Sequence, residues 1–416
     1  MQLYDFKEIE ERVILIGVQT EAGENVEASL DELEELAQTA GALTVGKVIQ
    51  NREAVHPGTY IGKGKIQEVR SLLTALDANG IICDDELSPS QMNNLERELE
   101  CKVMDRTLLI LDIFAGRAIT SEGKIQVELA QLRYRSARLV GLRDSLSRLG
   151  GGIGTRGPGE KKLETDRRLI RTRISALKAE LVQVEKHREL IRGSRSRGTL
   201  KTAAIVGYTN AGKSTLLNTL TGAEILAEDK LFATLDPTTR VLELNDGQQI
   251  LLTDTVGFIR KLPHHLVDAF KSTLEEAKYA DYIIHVADAS NPQAEMQMEV
   301  VYQTLRELGA SGKKVITLLN KLDLVSESGL RDSHADRVVK CSAKNGKGLD
   351  ELKEVLSGFL AEEQVYLEEL YSYREAGKIQ IIREHGQLLS EEYREDGIFV
   401  SAKIPTEFFV RVMPEK

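Results

Sequence analysis

Cysteine is scarce in this chain of 416 residues: Cys83, Cys101 and Cys341, an odd number with no C-x-x-C spacing. That argues against a disulfide framework and against a cysteine zinc site. No stretch of 18 apolar residues occurs, so a membrane-spanning helix is not expected. The first residues, Met1-Gln2-Leu3-Tyr4-Asp5-Phe6-Lys7, lack the basic and apolar regions of a secretory leader. These absences together predict a cytoplasmic protein. Its apolar content of 41% is enough for ordinary cores, and its length predicts about three domains.

Positive charge is in deficit overall, with a net charge of −10. Taken alone, that argues against a nucleic-acid partner. The distribution argues the other way. Residues 131–198 hold 18 Lys and Arg against 7 Asp and Glu, a local +11, so the rest of the chain carries −21. Such polarisation is the footprint of an anionic partner on one segment.

The most informative motif is Gly207-Tyr208-Thr209-Asn210-Ala211-Gly212-Lys213-Ser214, a G-x-x-x-x-G-K-S string. An apolar run, Ala203–Val206, precedes it and reads as a buried strand. Thr215–Leu220 follows and reads as a helix. Glycines let backbone N–H groups close around phosphate oxygens, and the helix N-terminus adds its positive dipole end. Lys213 reaches the outer phosphates and the Ser214 hydroxyl suits Mg²⁺.

Downstream signals fall in the order such a site needs. Gln249–Asp254 reads as a strand ending in an acid, paired as a hairpin with Val241–Leu244 across Asn245-Asp246-Gly247. Asp254 suits a water-mediated grip on Mg²⁺, and in Asp254-Thr255-Val256-Gly257 the Gly257 N–H is placed to sense a γ-phosphate. Asn320-Lys321-Leu322-Asp323 follows the apolar strand Lys314–Leu319. An Asp323 carboxylate accepts two hydrogen bonds from the N1–H and N2 edge of guanine; adenine lacks those donors. Ser342-Ala343-Lys344 follows the strand Arg337–Cys341 and can offer a backbone N–H to the guanine oxygen. The combination predicts a site for GTP rather than ATP.

These motifs resemble those of translation-factor-class GTPases. Leu231-Phe232-Ala233-Thr234-Leu235-Asp236-Pro237-Thr238-Thr239-Arg240 resembles the first switch of the HflX family. Gly150–Glu160 matches that family's glycine-rich signature. The resemblance covers almost the whole chain. It implies a ribosome-binding GTPase that associates with the large (50S) subunit and its ribosomal RNA and splits or rescues stalled ribosomes. It also implies nucleotide contacts from Phe232, Ala233, Thr234, Leu235 and Asp236. Thr234 would complete the Mg²⁺ shell with Ser214. The expected catalytic set is Lys213, Thr234 and Gly257.

One expected part is missing. Where many GTPases carry a water-positioning glutamine after D-x-x-G, this chain has Phe258. Slow intrinsic hydrolysis, stimulated by a partner, follows as an expectation. By analogy with related GTPases, Asn210 in the phosphate loop can hold a K⁺ that compensates; a purely structural role is the alternative. His264 and His265 read as solvated loop residues.

The organisation predicted is α/β and multidomain. Residues 1–118 form an α/β domain with strands Arg12–Val18, Leu43–Ile49, Gly80–Cys83 and Leu108–Ile113 and helices Leu30–Thr39, Ile66–Leu76 and Pro89–Leu99. Gly62-Lys63-Gly64-Lys65 reads as a helix-start turn, with phosphate or RNA binding as the alternative. Residues 119–197 form an antiparallel helical hairpin. One limb shows Ile125, Leu129, Leu132 and Leu139. The other shows Ile170, Ile174, Leu177, Leu181 and Val184 at coiled-coil spacing.

The hairpin tip is Gly150–Glu160, where seven of eleven residues are Gly or Pro. Arg143, Arg148, Arg156, Lys161, Lys162, Arg167, Arg168 and Arg171 are the candidate RNA contacts, since guanidinium forks suit phosphates. Tyr134 is the sole aromatic of the segment, which favours readout of RNA backbone and shape over base stacking. Residues 198–361 form the P-loop GTPase domain, with a six-stranded, mostly parallel sheet and one antiparallel edge. Residues 362–416 form a small α+β domain. It opens on an acidic run (Glu362, Glu363, Glu368, Glu369) and carries strand patterns at Lys378–Ile382, Ile398–Ile404 and Phe408–Val412.

A monomer is expected. Two competing readings remain at this stage. One is a GTP-dependent regulatory switch whose hairpin binds a protein partner. The other is an ATP-driven RNA-remodelling enzyme using residues 1–118, for which no adenine-competent site is found.

Overall fold

The computed structural model describes residues 10–20, 25–147, 158–195, 200–222, 231–232, 234–261, 274–325 and 329–414. The chain forms two compact units. The first takes in Met1–Val184, Leu226–Asp236 and Val256–Leu274; the second takes in Glu185–Ile225, Pro237–Thr255 and Glu275–Lys416.

In the first unit, strands β1 (Arg12–Gln19), β2 (Leu43–Asn51), β3 (Gly80–Cys83) and β4 (Lys102–Asp105) make a parallel sheet of order β2-β1-β3-β4. β1 is an unbroken apolar run because helices cover both faces of a parallel sheet; six of its eight residues are buried. Helices α1 (Val26–Thr39), α2 (Lys63–Ala75), α3 (Pro89–Leu99) and α4 (Arg106–Arg117) complete the domain. α1 starts where the Asn25 side chain accepts from Ala28 N, and α3 starts at a full Ser88–Gln91 capping box with Pro89 in its first turn. The glycine-lysine cluster is the start of α2, with Gly62 as its N-cap.

One expected strand is a helix. Leu108–Ile113 lies inside α4, and the fourth strand is the shorter Lys102–Asp105 before it. The Asp105 carboxylate accepts from Leu108 N at 2.8 Å and so caps the helix. Leu109, Ile110, Leu111, Ile113 and Phe114 are all buried, and within Leu108–Ile113 Asp112 alone is exposed, too little of a polar face to mark a helical period.

Helices α5 (Ser121–Ser147) and α6 (Pro158–Arg195) form the expected hairpin. Ile125, Leu129 and Leu177 are buried together, with Leu132, Ile174, Leu181 and Val184 packed against them. Arg173 makes a two-pronged salt bridge to Glu128 across the pair. Ile170 and Leu139, also expected in the stripe, are not part of that cluster.

The second unit holds a six-stranded sheet of order β10-β9-β8-β5-β7-β6. Its strands are β5 (Lys201–Gly207), β6 (Thr238–Glu243), β7 (Gln249–Asp254), β8 (Tyr282–Asp288), β9 (Lys314–Asn320) and β10 (Arg337–Lys340). Only β6 runs antiparallel, in register Thr238↔Asp254 to Glu243↔Gln249, so the expected hairpin forms the edge. α7 (Lys213–Thr221) follows β5. Apolar residues of β5, β7, β8 and β9 share a core with Leu216, Leu217 and Leu220 of α7 and with Leu352, Leu356 and Phe359 of the helix Leu349–Glu362.

The C-terminal segment is α+β, but its elements differ from the expected ones. Lys378–Ile382 and Phe408–Val412 lie in helices, Ala376–His385 and Thr406–Val412. The strands are β11 (Gln364–Tyr371), β12 (Gln387–Arg394) and β13 (Gly397–Pro405), antiparallel in the order β11-β13-β12. The expected strand Ile398–Ile404 is the middle one. Short Ile- and Phe-rich runs satisfy either period; here Ile379 and Ile382, three apart, bury one helical face against Leu367, Val400, Ala402 and Ile404. The acidic run enters β11, where Leu367 and Tyr371 face the core and Glu368 is exposed.

Candidate functional site

The loop Gly207–Ser214 joins β5 to α7 at the carboxyl ends of the parallel strands. β7 lies on one side of β5 and β8 on the other, which makes this the switch point where open α/β sheets hold ligands. Two glycines are required by close approach. A Cβ on Gly207 would stand 2.2 Å from the Val286 carbonyl oxygen. Gly212 has φ +96°, and a Cβ there would stand 2.4 Å from Asn320 Nδ2. Asn210 also adopts the left-handed region, at φ +59°.

Lys213 opens α7 and is buried; its ammonium donates to the Tyr208 carbonyl at 2.8 Å. Burial pushes its pKa down to about 8, against the pull of Asp254. Ser214 Oγ donates to Asp254 Oδ2 at 2.7 Å, so the end of β7 and the start of α7 meet at a hydroxyl and a fully buried carboxylate. Thr255 is buried and donates to the Ile205 carbonyl at 2.8 Å, which ties the chain after β7 to β5. Thr209 is 6% exposed, and its hydroxyl has no hydrogen-bond partner among the described residues.

Asn320, 3% exposed, links three segments. Its amide donates to the Ala211 carbonyl at 2.9 Å, and its side-chain carbonyl accepts from Ala343 N at 2.8 Å. Ser342 Oγ donates to Asp323 Oδ1 at 2.6 Å, and this bond holds the Asp323 carboxyl below its usual range. Thr219, on α7, donates to the Ala343 carbonyl at 2.8 Å. Lys321 has φ +62° and pairs with Asp288 at 2.8 Å. Leu322 N donates to the Cys341 carbonyl at 3.3 Å. Ala343 N is used by Asn320 and Ser342 N by the Lys347 carbonyl. Among the described residues the exposed Lys344 N–H donates to no protein acceptor, so it is the loop's donor available to a base.

The structure thus brings together Gly207, Tyr208, Thr209, Asn210, Ala211, Gly212, Lys213, Ser214, Asp254, Thr255, Asn320, Lys321, Leu322, Asp323, Ser342, Ala343 and Lys344. Phe232, Thr234, Leu235, Asp236, Val256 and Gly257 belong to the first unit. There Phe232 packs edge-on against Phe114 at 4.6 Å between ring centroids. The Asp236 carboxylate accepts from Ile119 N and Thr120 N at 3.1 and 3.0 Å, and from the Thr120 hydroxyl. Leu235, Val256 and Phe258 are buried.

Ala233, Arg148, Arg156, His264 and His265 lie outside the described residues, as do residues 150–157 of the tip and the side chains of Arg143, Lys161 and Lys162. Arg168 and Arg171 are exposed and Arg167 is half-buried.

Sequence reasoning missed a buried charge network in the first unit. Arg106, 1% exposed, donates to Asp84 at 2.9 Å, Glu32 at 2.6 Å and the Ser29 carbonyl at 3.0 Å. Lys261, just past the D-x-x-G run, reaches Asp84 and Asp85 at 2.6 Å each. Burial pushes the Asp84 pKa up, but Arg106 and Lys261 outweigh it and hold the carboxyl low. The dipeptide Asp84-Asp85 after an apolar strand was the available signal.

A glycine-rich loop on a parallel strand, a hydroxyl–carboxylate pair and an asparagine-braced base loop define a P-loop GTPase. Family models agree segment by segment. Residues 27–115 match the GTP-binding GTPase N-terminal model, 117–195 its middle region, and 202–321 the 50S ribosome-binding GTPase model. The chain is 68% identical over 410 residues to the GTPase HflX of Lacrimispora saccharolytica, covering 98% of this chain and 97% of that protein. It is 43% identical over 365 residues to GTPase HflX of Escherichia coli, covering 87% and 85%. A solved GTP-binding protein from Sulfolobus solfataricus in complex with GDP is 26% identical, with TM-score 0.45 over 84% of this chain and 99% of that one.

The chain belongs to the HflX family of GTPases. It is a GTP-hydrolysing enzyme of a ribosome-associated class. Among the described residues no helix is long and apolar enough to cross a membrane.

Proposed function

We propose that this GTPase binds the large ribosomal subunit through its basic hairpin and uses GTP to split or rescue stalled ribosomes. The observation that carries the reading is a hairpin packed on its own apolar seam, in a segment whose local charge is +11. The seam between its two helices is covered within the chain itself, and the segment's charge suits RNA phosphates. Arg143, Arg148, Arg156, Lys161, Lys162, Arg167, Arg168 and Arg171 are the proposed contacts.

At the nucleotide site, the phosphate loop holds the triphosphate and Lys344 N–H and Asp323 read the guanine. The Thr209 hydroxyl, buried without a protein partner among the described residues, suits a phosphate oxygen. Ser214 and Asp254 offer hard oxygens 2.7 Å apart, a donor set that fits Mg²⁺. Ser214 and Thr234 would ligate the ion directly, with Asp254 behind. The ion would neutralise charge developing on the phosphates. Asn210 in the loop would hold K⁺; equal hydrolysis rates in K⁺ and Na⁺ would remove that role. Phe258, 2% exposed, supplies no polar group to orient water, so hydrolysis is slow until the ribosome orders the site. The domain boundaries proposed are 1–118, 119–197, 198–361 and 362–416, in a cytoplasmic monomer.

The test is the GTPase rate with and without 50S and 70S particles, repeated with Gly150–Glu160 replaced by a short linker. Loss of stimulation with intact nucleotide binding is expected. Unchanged stimulation moves the RNA contact elsewhere. Association that does not weaken between 50 and 200 mM salt instead favours a protein partner.

A further inference from the structure

Thr234 stands between two anchors, each two residues away. On one side Phe232, at φ +57°, packs on Phe114 near the end of α4. On the other side the Asp236 carboxylate takes three donors from Ile119 and Thr120, the residues that lead into α5. Thr120 also starts that helix: its hydroxyl accepts from Gly123 N at 3.0 Å, and its carbonyl accepts from Lys124 N at 3.0 Å. Gly123 is buried, and a Cβ there would lie 2.7 Å from Asp236 Oδ1. Asp236 is therefore gripped by the foot of the hairpin rather than by its own neighbours in sequence.

We propose that Thr120, acting through Asp236, is a positioning residue for Thr234, and that the α4–α5 joint passes the load of a ribosome-bound hairpin to the first switch. The second half rests on the ribosome reading above. The first half does not. α5 is a continuous helix from this joint towards the tip, so a force on its far end tilts its first turn. The carboxylate held there moves with it, and Thr234 is two residues away. The Phe114–Phe232 contact fixes the other side, so the tilt turns the segment instead of dragging it whole.

The experiment uses the whole 416-residue chain. Thr120→Val removes the hydroxyl and leaves both backbone donors. Gly123→Ala removes no hydrogen-bonding group and displaces the carboxylate by crowding. In both, deuterium uptake of the peptide 234–240 in the nucleotide-free protein should rise. Stimulation of hydrolysis by 50S particles should fall about tenfold, within the usual range of coupling between sites. GDP affinity should stay within about twofold, and sedimentation with 50S should not change. Thr120→Ser should restore exchange and stimulation. Wild-type exchange in 234–240 in both variants would overturn the positioning role, whatever the ribosome does. Altered exchange with full stimulation would overturn the coupling. If the unmodified protein shows no stimulation, the ribosome reading and the coupling fall together, and the exchange result alone decides the positioning role.

Discussion

The buried ammonium of Lys213 makes a pH prediction that can be worked from the structure. Its pKa stands at about 8, against the ordinary 10.5. Each pH unit between those values is worth 1.36 kcal/mol, so holding the charge buried in this loop costs about 3 kcal/mol. The folded pKa is the lower one. Between pH 8 and 10.5 the unfolded chain therefore binds more protons, and stability rises with pH across that window; below pH 8 the cost is fully present. A bound phosphate reverses the balance, because opposite charge favours the protonated form. Nucleotide binding should then take up about half a proton at pH 8 and about nine-tenths at pH 9, and almost none at pH 6.5. Affinity for GDP should fall with rising pH, approaching tenfold per unit by pH 9. Calorimetric titration of GDP at pH 6.5, 8 and 9, in buffers of different ionisation heat, counts the protons directly. Cys341, the nearby thiol behind the base loop, is pushed up to about 12 by burial and does not titrate in this range. Equal proton uptake at pH 6.5 and 9 would refute the reasoning.

Three substitutions probe other parts. Asn320→Ala deletes the bonds to Ala211 and Ala343, each worth about 1 kcal/mol, so GDP affinity should weaken about 30-fold by calorimetry; a loss under threefold would show that the bridge is dispensable. Asp323→Asn exchanges an acceptor for a donor and should shift preference from guanosine to xanthosine triphosphate by at least about tenfold, read by competition binding; retained guanosine preference would undo the base assignment. Arg106→Met removes the buried guanidinium from Asp84 and Glu32 and leaves Asp84 with Lys261 and the Ser29 hydroxyl, so it should destabilise the first unit by about 1–3 kcal/mol. Amide exchange over α1 and β3 reports it, and unchanged protection there would mean the network contributes nothing.

The fold around the G-x-x-x-x-G-K-S loop was legible because its signals are local. Gly207 and Gly212 sit where close backbone approach demands them, Lys213 opens the helix as expected, and the strand before each motif is a plain apolar run. The hairpin was legible through its stripe. The α4 segment was not, because four of the six residues Leu108–Ile113 are buried and one exposed residue, Asp112, is too little of a polar face to reveal a helical period. The C-terminal helices failed for a related reason: five residues such as Lys378–Ile382 fit one helical turn or one strand equally well. The pairing of Asp236 with Thr120, or of Arg106 with Glu32 and Asp84, leaves no local trace at all. Those partners are brought together only by the packing of the first unit, 116, 74 and 22 residues apart in the chain.

The sharing of chain between the two units has a practical corollary for dissecting the protein. A fragment beginning at residue 198 keeps the phosphate loop, the carboxylate and the base loop whole. It also keeps Phe232, Asp236 and Lys261, but strips them of Phe114, Thr120 and Asp84. Kinetics measured on such a fragment therefore describe a catalyst cut away from the partners of those two segments, and they should not be read as the rate of the whole chain.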